Sequence, residues 1–193
     1  PLAVYIAKEL TLNAAQTGLL VAIPILAGTL LRLPVGLLVD RFGPKKVGLV
    51  TQILMLTALL ALGKIQITHI TELYFWSFLL GFAGASFSVA MPLVSGWYPP
   101  EHQGKALGIT ALGGSGTFLT ALLAPRLAET YSWQAVFNFA AIPVALVLLL
   151  YPLLVKESDN RPAPQPLARY FYVLRYGDTL WFCFFYAVTF GAF

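Results

Sequence analysis

Gly36-Leu37-Leu38-Val39-Asp40-Arg41-Phe42-Gly43-Pro44-Lys45-Lys46 is the stretch that decides how this chain folds. It starts apolar, breaks into charge at Asp40 and Arg41, turns at Gly43-Pro44 and ends on two lysines. Ahead of it runs Thr17–Val39, interrupted only by Arg32, and behind it runs Val47–Leu62. A helix of about 20 mainly apolar residues is long enough to cross a bilayer. The stretch therefore reads as a polar elbow joining two membrane helices. Gly43 and Pro44 supply the tight turn.

Working outward, the same alternation of apolar run and short polar elbow continues. Leu73–Trp97 forms a full span with Trp and Tyr at its ends, Ala106–Leu127 a span rich in Gly, Ala and Thr, and Ala135–Val155 a clean one. Leu2–Ile6 reads as the tail of a first helix and Leu180–Phe193 as the start of another, so both ends of the chain look cut. Only Lys156–Thr179 is a long loop; its Pro162, Pro164 and Pro166 hold it extended, and Leu167–Tyr176 reads as an amphipathic segment on the membrane surface. The expected architecture is an all-α membrane protein. A transmembrane bundle fills 1–155, a linker 156–179, and the start of a second bundle 180–193.

Composition agrees. Hydrophobic residues make up 59% of the 193 and charged residues 10%, where a soluble domain carries about 25% charged. The net charge of +4 is not gathered into a basic stripe with interleaved aromatics, which excludes nucleic acid as a partner and leaves the lipid bilayer. The single cysteine, Cys183, excludes an internal disulfide and a multi-cysteine metal site, and His69 and His102 lie in loops away from other ligands. No metal, cofactor or enzyme chemistry is expected, since no nucleophile–base pair or phosphate loop is present.

Lys and Arg set the orientation. Arg41, Lys45, Lys46, Lys105, Lys156, Arg161, Arg169 and Arg175 fall in loops on one side, and Lys8 and Lys64 on the other, with Arg126 near a span end there. The basic side, including 156–179, is expected to be cytoplasmic.

Six helices, a long linker and a seventh helix are the layout of major facilitator transporters. The opening stretch resembles that superfamily's signature loop, G-x-L-x-D-R-x-G-R-K, at Gly36, Leu38, Asp40, Arg41, Gly43 and Lys45, with Pro44 where Arg is more usual. Gly36 would let two helices approach. Asp40 would accept hydrogen bonds from a neighbouring helix end, and Arg41 would bridge to the other half. These residues would form a conformational gate.

Arg32 stands eight residues before Asp40, about 12 Å of helix from the elbow and near the middle of a core about 30 Å thick. A charge there costs about 2.5–3.5 kcal/mol or more. Gly28 and Gly36 flank it on the same face and are expected to leave room for a guest, and all eight acids lie in loops or at span ends. A guanidinium matches a planar oxyanion through two parallel bonds. The alternative role is structural, with Arg32 bonded to carbonyls of a neighbouring helix.

Three further segments resemble the nitrate/nitrite porter family. They are Gly81–Phe87 leading to Trp97–Ile109, Gly113-Gly114-Ser115-Gly116-Thr117 followed by Ala124–Glu129, and Tyr186–Phe193. The resemblance implies a secondary active transporter in the cytoplasmic (inner) membrane that serves nitrate assimilation. It also implies nitrate or nitrite as the small anion substrate, alternating access, and a second half completing the site. It makes Arg32 the first of two anion-binding arginines, Phe87 and Tyr186 aromatic contacts, and Gly113, Gly114 and Ser115 part of the substrate segment, with Gly114 where the family has Asn. The alternatives are a carrier of another small anion, such as cyanate or a carboxylate, and a membrane sensor on the same scaffold.

Overall fold

The computed structural model describes residues 2–64, 69–158, 172 and 175–191. Its described elements are all helical. They are α1 (Ala3–Glu9), α2 (Ala14–Phe42), α3 (Pro44–Lys64), α4 (Ile70–Ala85), α5 (Phe87–Ser95), α6 (Pro100–Ala111), α7 (Gly116–Thr130), α8 (Trp133–Leu154) and α9 (Gly177–Gly191). A 3₁₀ turn, Leu112–Ser115, joins α6 to α7. Five stretches are long and apolar enough to cross a membrane: Ala14–Phe42, Pro44–Lys64, Ile70–Ser95, Pro100–Thr130 and Trp133–Leu154. The chain is a multi-pass membrane protein, with the spans where the hydropathy placed them.

Two spans are less regular than the sequence suggested. The third, Ile70–Ser95, is broken at Ser86, whose hydroxyl donates to Ala83 O at 2.7 Å and competes with the backbone ladder. The fourth, Pro100–Thr130, tightens into the 3₁₀ turn at Gly113-Gly114, where neither residue has a side chain to favour the α form.

The elbow is compact because Gly43 serves two helices. Its N–H closes α2 on Val39 O at 2.8 Å, and its carbonyl accepts the first α3 bond from Val47 N at 3.2 Å. Its φ of 94° and ψ of 149° fall where a Cβ is not tolerated. Pro44 then starts α3 with φ already set and no orphan N–H.

The chain divides into two compact units, Pro1–Arg161 and Pro162–Phe193. In the first, the helices run alternately up and down, and hydrogen bonds at both rims show it. At the elbow rim, Lys45 Nζ donates to Pro152 O at 2.8 Å, Tyr151 OH to Pro44 O at 3.3 Å, and Trp97 Nε1 to Lys156 O at 3.0 Å. At the opposite rim, Tyr5 OH donates to Glu129 at 2.8 Å and Trp133 Nε1 to Glu9 at 2.9 Å. Asn138 Nδ2 donates to Gly63 O at 2.8 Å there too. Arg41, Lys45, Lys46, Lys105 and Lys156 thus share one end of the bundle.

Between the rims lie two apolar clusters. Ile6, Leu20, Leu62, Leu73 and Trp133 pack together toward one end, and Val35, Val39, Val47, Ala85 and Val89 toward the other. Lipid tails are as apolar as these side chains, so close packing rather than water exclusion holds the helices together. The second unit holds α9, which starts at Gly177, three residues ahead of the expected Leu180. The amphipathic stretch expected at Leu167–Tyr176 lies outside the described residues except at Tyr172, Arg175 and Tyr176, where the Arg175 guanidinium sits 5.5 Å from the Tyr172 ring centre.

Candidate functional site

The site is built on the crossing of α2 and α4. Leu20 belongs to one apolar cluster and Val35 to the other, and Gly28 lies between them on α2. There it meets Gly81 and Gly84 of α4. A Cβ built on Gly28 would stand 3.1 Å from Gly81 O, and one on Gly84 would stand 3.1 Å from Gly28 Cα. Three glycines let the two backbones touch, as small residues do at membrane-helix interfaces.

Arg32 sits one turn beyond Gly28, half-buried, and Pro34 follows it at close range. Because the backbones are so close, α4 can bind the arginine directly. Arg32 Nε donates to Gly84 O at 3.2 Å. In return, Ser88 Oγ donates to Arg32 O at 3.2 Å. The first bond takes one of the five guanidinium N–H donors and fixes the plane of the fork. The structural role considered for Arg32 is therefore present: the side chain is anchored to a neighbouring backbone. The expectation for Gly28 is corrected here. Its surface is filled by the α4 backbone and leaves no room for a guest, because the glycine serves helix contact. At Gly36, by contrast, a Cβ would meet nothing within 4 Å.

Phe87 opens α5 just past the Ser86 break, next to Ser88, and its ring is 42% exposed. The break sets Ser88 against the Arg32 carbonyl, with Phe87 exposed beside it. Gly113, Gly114 and Ser115 lie in the 3₁₀ turn of the span Pro100–Thr130, all exposed, and a Cβ on either glycine would touch nothing within 4 Å. The turn packs with α6 and α7, and through them with α5 and α8. Tyr186 lies on α9 in the second unit, with its ring 49% exposed there.

The signature residues divide by role. Gly43 is buried in the elbow, Arg41 is exposed, and Asp40 is half-buried near the end of α2. Lys45 is engaged inside the bundle. Its ammonium bonds Pro152 O near the end of α8, and its backbone N–H donates to the Glu157 carboxylate at 3.0 Å. The two helix ends cap each other, an acid at the positive α3 end and a base at the negative α8 end. Sequence reading missed Glu157 and Gly84. Glu157 lies in the segment assigned to the linker, and Gly84 acts through a carbonyl that no residue type advertises. The Gly81–Gly84–Ser88 spacing was the available signal for the second.

A family model described as Major Facilitator Superfamily matches residues 1–193. The chain belongs to the major facilitator superfamily. Among its relatives are a nitrite extrusion protein of Bacillus subtilis, 31% identical over 97% of this chain and 47% of its own length, and a probable nitrate transporter NarT of Staphylococcus haemolyticus, 32% identical over 100% and 49%. A third is the probable nitrate/nitrite antiporter NarK1 of Thermus thermophilus, 34% identical over 100% of this chain and 46% of its own length. This facilitator chain spans about half the length of the curated relatives it matches. No solved structure matches it significantly.

Proposed function

We propose that this chain is the first half of a carrier that moves nitrate or nitrite across the inner membrane by alternating access. The observation that carries the reading is Arg32, a mid-span arginine whose guanidinium is held in one plane by Gly84 O across a glycine crossing. With Nε bonded to Gly84 O, the guanidinium keeps the planar shape that matches a planar oxyanion through two parallel bonds. The names of the relatives favour nitrate and nitrite among such anions.

In this reading a second bundle supplies the partner arginine, and Phe87 and Tyr186 are aromatic contacts of the anion. The open surface of Gly113, Gly114 and Ser115 faces the same passage. The basic rim is cytoplasmic, since Lys and Arg gather there. Arg41 and Asp40, at that rim, meet the second bundle when the cytoplasmic side closes, with Gly36 leaving space for the approach. Bound anion offsets the repulsion between the two arginines, so the halves close over a loaded site.

The test is nitrate uptake into proteoliposomes by the full-length protein carrying Arg32→Lys. Lysine keeps the charge and loses the fork, so uptake should fall to background while the protein still folds. Uptake at the unsubstituted rate would refute the role.

A further inference from the structure

At the basic rim an open groove of about 580 Å³ lies between the ends of α5 and α8. Leu93 and Val94 form one wall, Leu154 and Val155 the other, and Trp97, Tyr98 and Lys156 line it at the ends of these helices. The volume lies within the range of about 300–1,000 Å³ typical of ligand sites.

The cavity is braced on both sides. Trp97 Nε1 holds Lys156 O at 3.0 Å, so the indole ties the two walls together. Gln103 Nε2 donates to both Ser95 O and Tyr98 O at 3.2 Å, which locks the loop carrying Trp97 and Tyr98. The bonds from Lys45 to Pro152 O and to Glu157 hold the other wall. The Glu157 carboxylate accepts from the Lys45 N–H, so it helps cap α3. Leu154 is 72% exposed at the apolar side, and the Lys156 side chain is exposed at the polar side.

We propose that this cavity binds a phospholipid with a net negative headgroup, drawn from the surrounding bilayer. An acyl chain lies between the leucine and valine walls. The indole and phenol pack at the level where a lipid changes from hydrocarbon to headgroup, and the phosphate sits at the Lys156 ammonium. Charge favours the anionic class: Lys156 lines the groove, and at this end of the bundle Arg41, Lys45, Lys46, Lys105 and Lys156 outnumber Asp40, Glu101 and Glu157. An aromatic pair beside a lysine at a membrane boundary is the arrangement that suits such a molecule. The proposal is independent of which anion the carrier moves.

The test places a photo-crosslinking residue at position 154 of the full-length protein, in vesicles of equimolar phosphatidylglycerol and phosphatidylcholine. Mass spectrometry then identifies what is captured. Capture of phosphatidylglycerol at about fivefold over phosphatidylcholine is expected, the preference one lysine confers near a charged headgroup. Lys156→Gln should bring the ratio to near parity, Lys156→Arg should keep it, and Lys64→Gln at the opposite rim should leave it alone. Equal capture of both lipids by the unsubstituted protein, or a preference that survives Lys156→Gln, would overturn the proposal. So would capture of a peptide from the chain itself, which would mean that protein and not lipid fills the cavity.

Discussion

Replacing Gly81 with alanine tests the central crossing of the bundle. A Cβ at that position would lie 2.5 Å from Ala27 Cβ and 2.8 Å from Gly28 N. Carbon atoms pack best at about 3.5–4.0 Å, so α2 and α4 must part by about 1 Å here. The Arg32 Nε to Gly84 O distance is already 3.2 Å, and a further 1 Å would end that hydrogen bond. Overpacking costs about 1–3 kcal/mol, and an interhelical bond in a membrane about 0.6–1.7 kcal/mol. The sum, about 2–5 kcal/mol, corresponds to a drop in melting temperature of about 4–20 °C for a unit of this size. Thermal unfolding of the purified protein in detergent, followed by intrinsic fluorescence, would measure it. Nitrate uptake should fall as well, since the guanidinium would lose its fixed plane. Gly36→Ala is the control: its new methyl meets nothing within 4 Å and should not lower the melting temperature. A Gly81→Ala protein that melts and transports like the unsubstituted one would show that the crossing does not position Arg32.

Three other perturbations have defined outcomes. Gly43→Ala forces a side chain into φ 94°, ψ 149°, and should cost about 1–3 kcal/mol, read as a lower melting temperature and faster proteolysis at the elbow. Glu157→Ala removes the cap from the first turn of α3 and should cost about 1 kcal/mol, with Glu157→Asp recovering part of it; equal melting of all three proteins would contradict the capping role. Glu9→Ala leaves the Trp133 indole N–H, on a residue only 3% exposed, without its acceptor, and should destabilise by about 1–3 kcal/mol while red-shifting tryptophan emission as water enters.

The spans were legible because lipid imposes a length and an apolarity on every crossing, and Thr17–Val39 or Ala135–Val155 could hardly be anything else. The elbow was legible for a similar reason: Gly43-Pro44 between two apolar runs leaves the backbone few choices. Arg32 stood out because charge at that depth is costly. What surrounds it was harder to read. Gly28 looked like empty space for a guest and proved to be the surface on which α4 lies, since a glycine marks closeness without saying to what. The break at Ser86 and the tight turn at Gly113-Gly114 interrupt runs whose hydropathy is unbroken, because both arise from backbone bonding that apolarity does not record. Lys45 was legible as a signature-loop residue but its bond to Pro152 O was not, because that carbonyl lies 107 residues away.

The mutual capping of α3 and α8 bears on how the protein is made. Glu157 follows Lys45 by 112 residues. At about 5–20 residues per second, a ribosome delivers the acid some 6–22 s after the turn that needs it. During that interval the first turn of α3 already lies in the bilayer interface with a carboxylate partner still to be translated. The ties from Glu9 to Trp133 and from Tyr5 to Glu129 join residues 124 apart and wait as long. The elbow rim therefore fastens only after the last helix of the bundle, α8, has emerged, whereas the opposite rim needs only the end of α7 and the start of α8, and a nascent chain stalled before Trp133 should show an elbow open to protease that the finished protein protects.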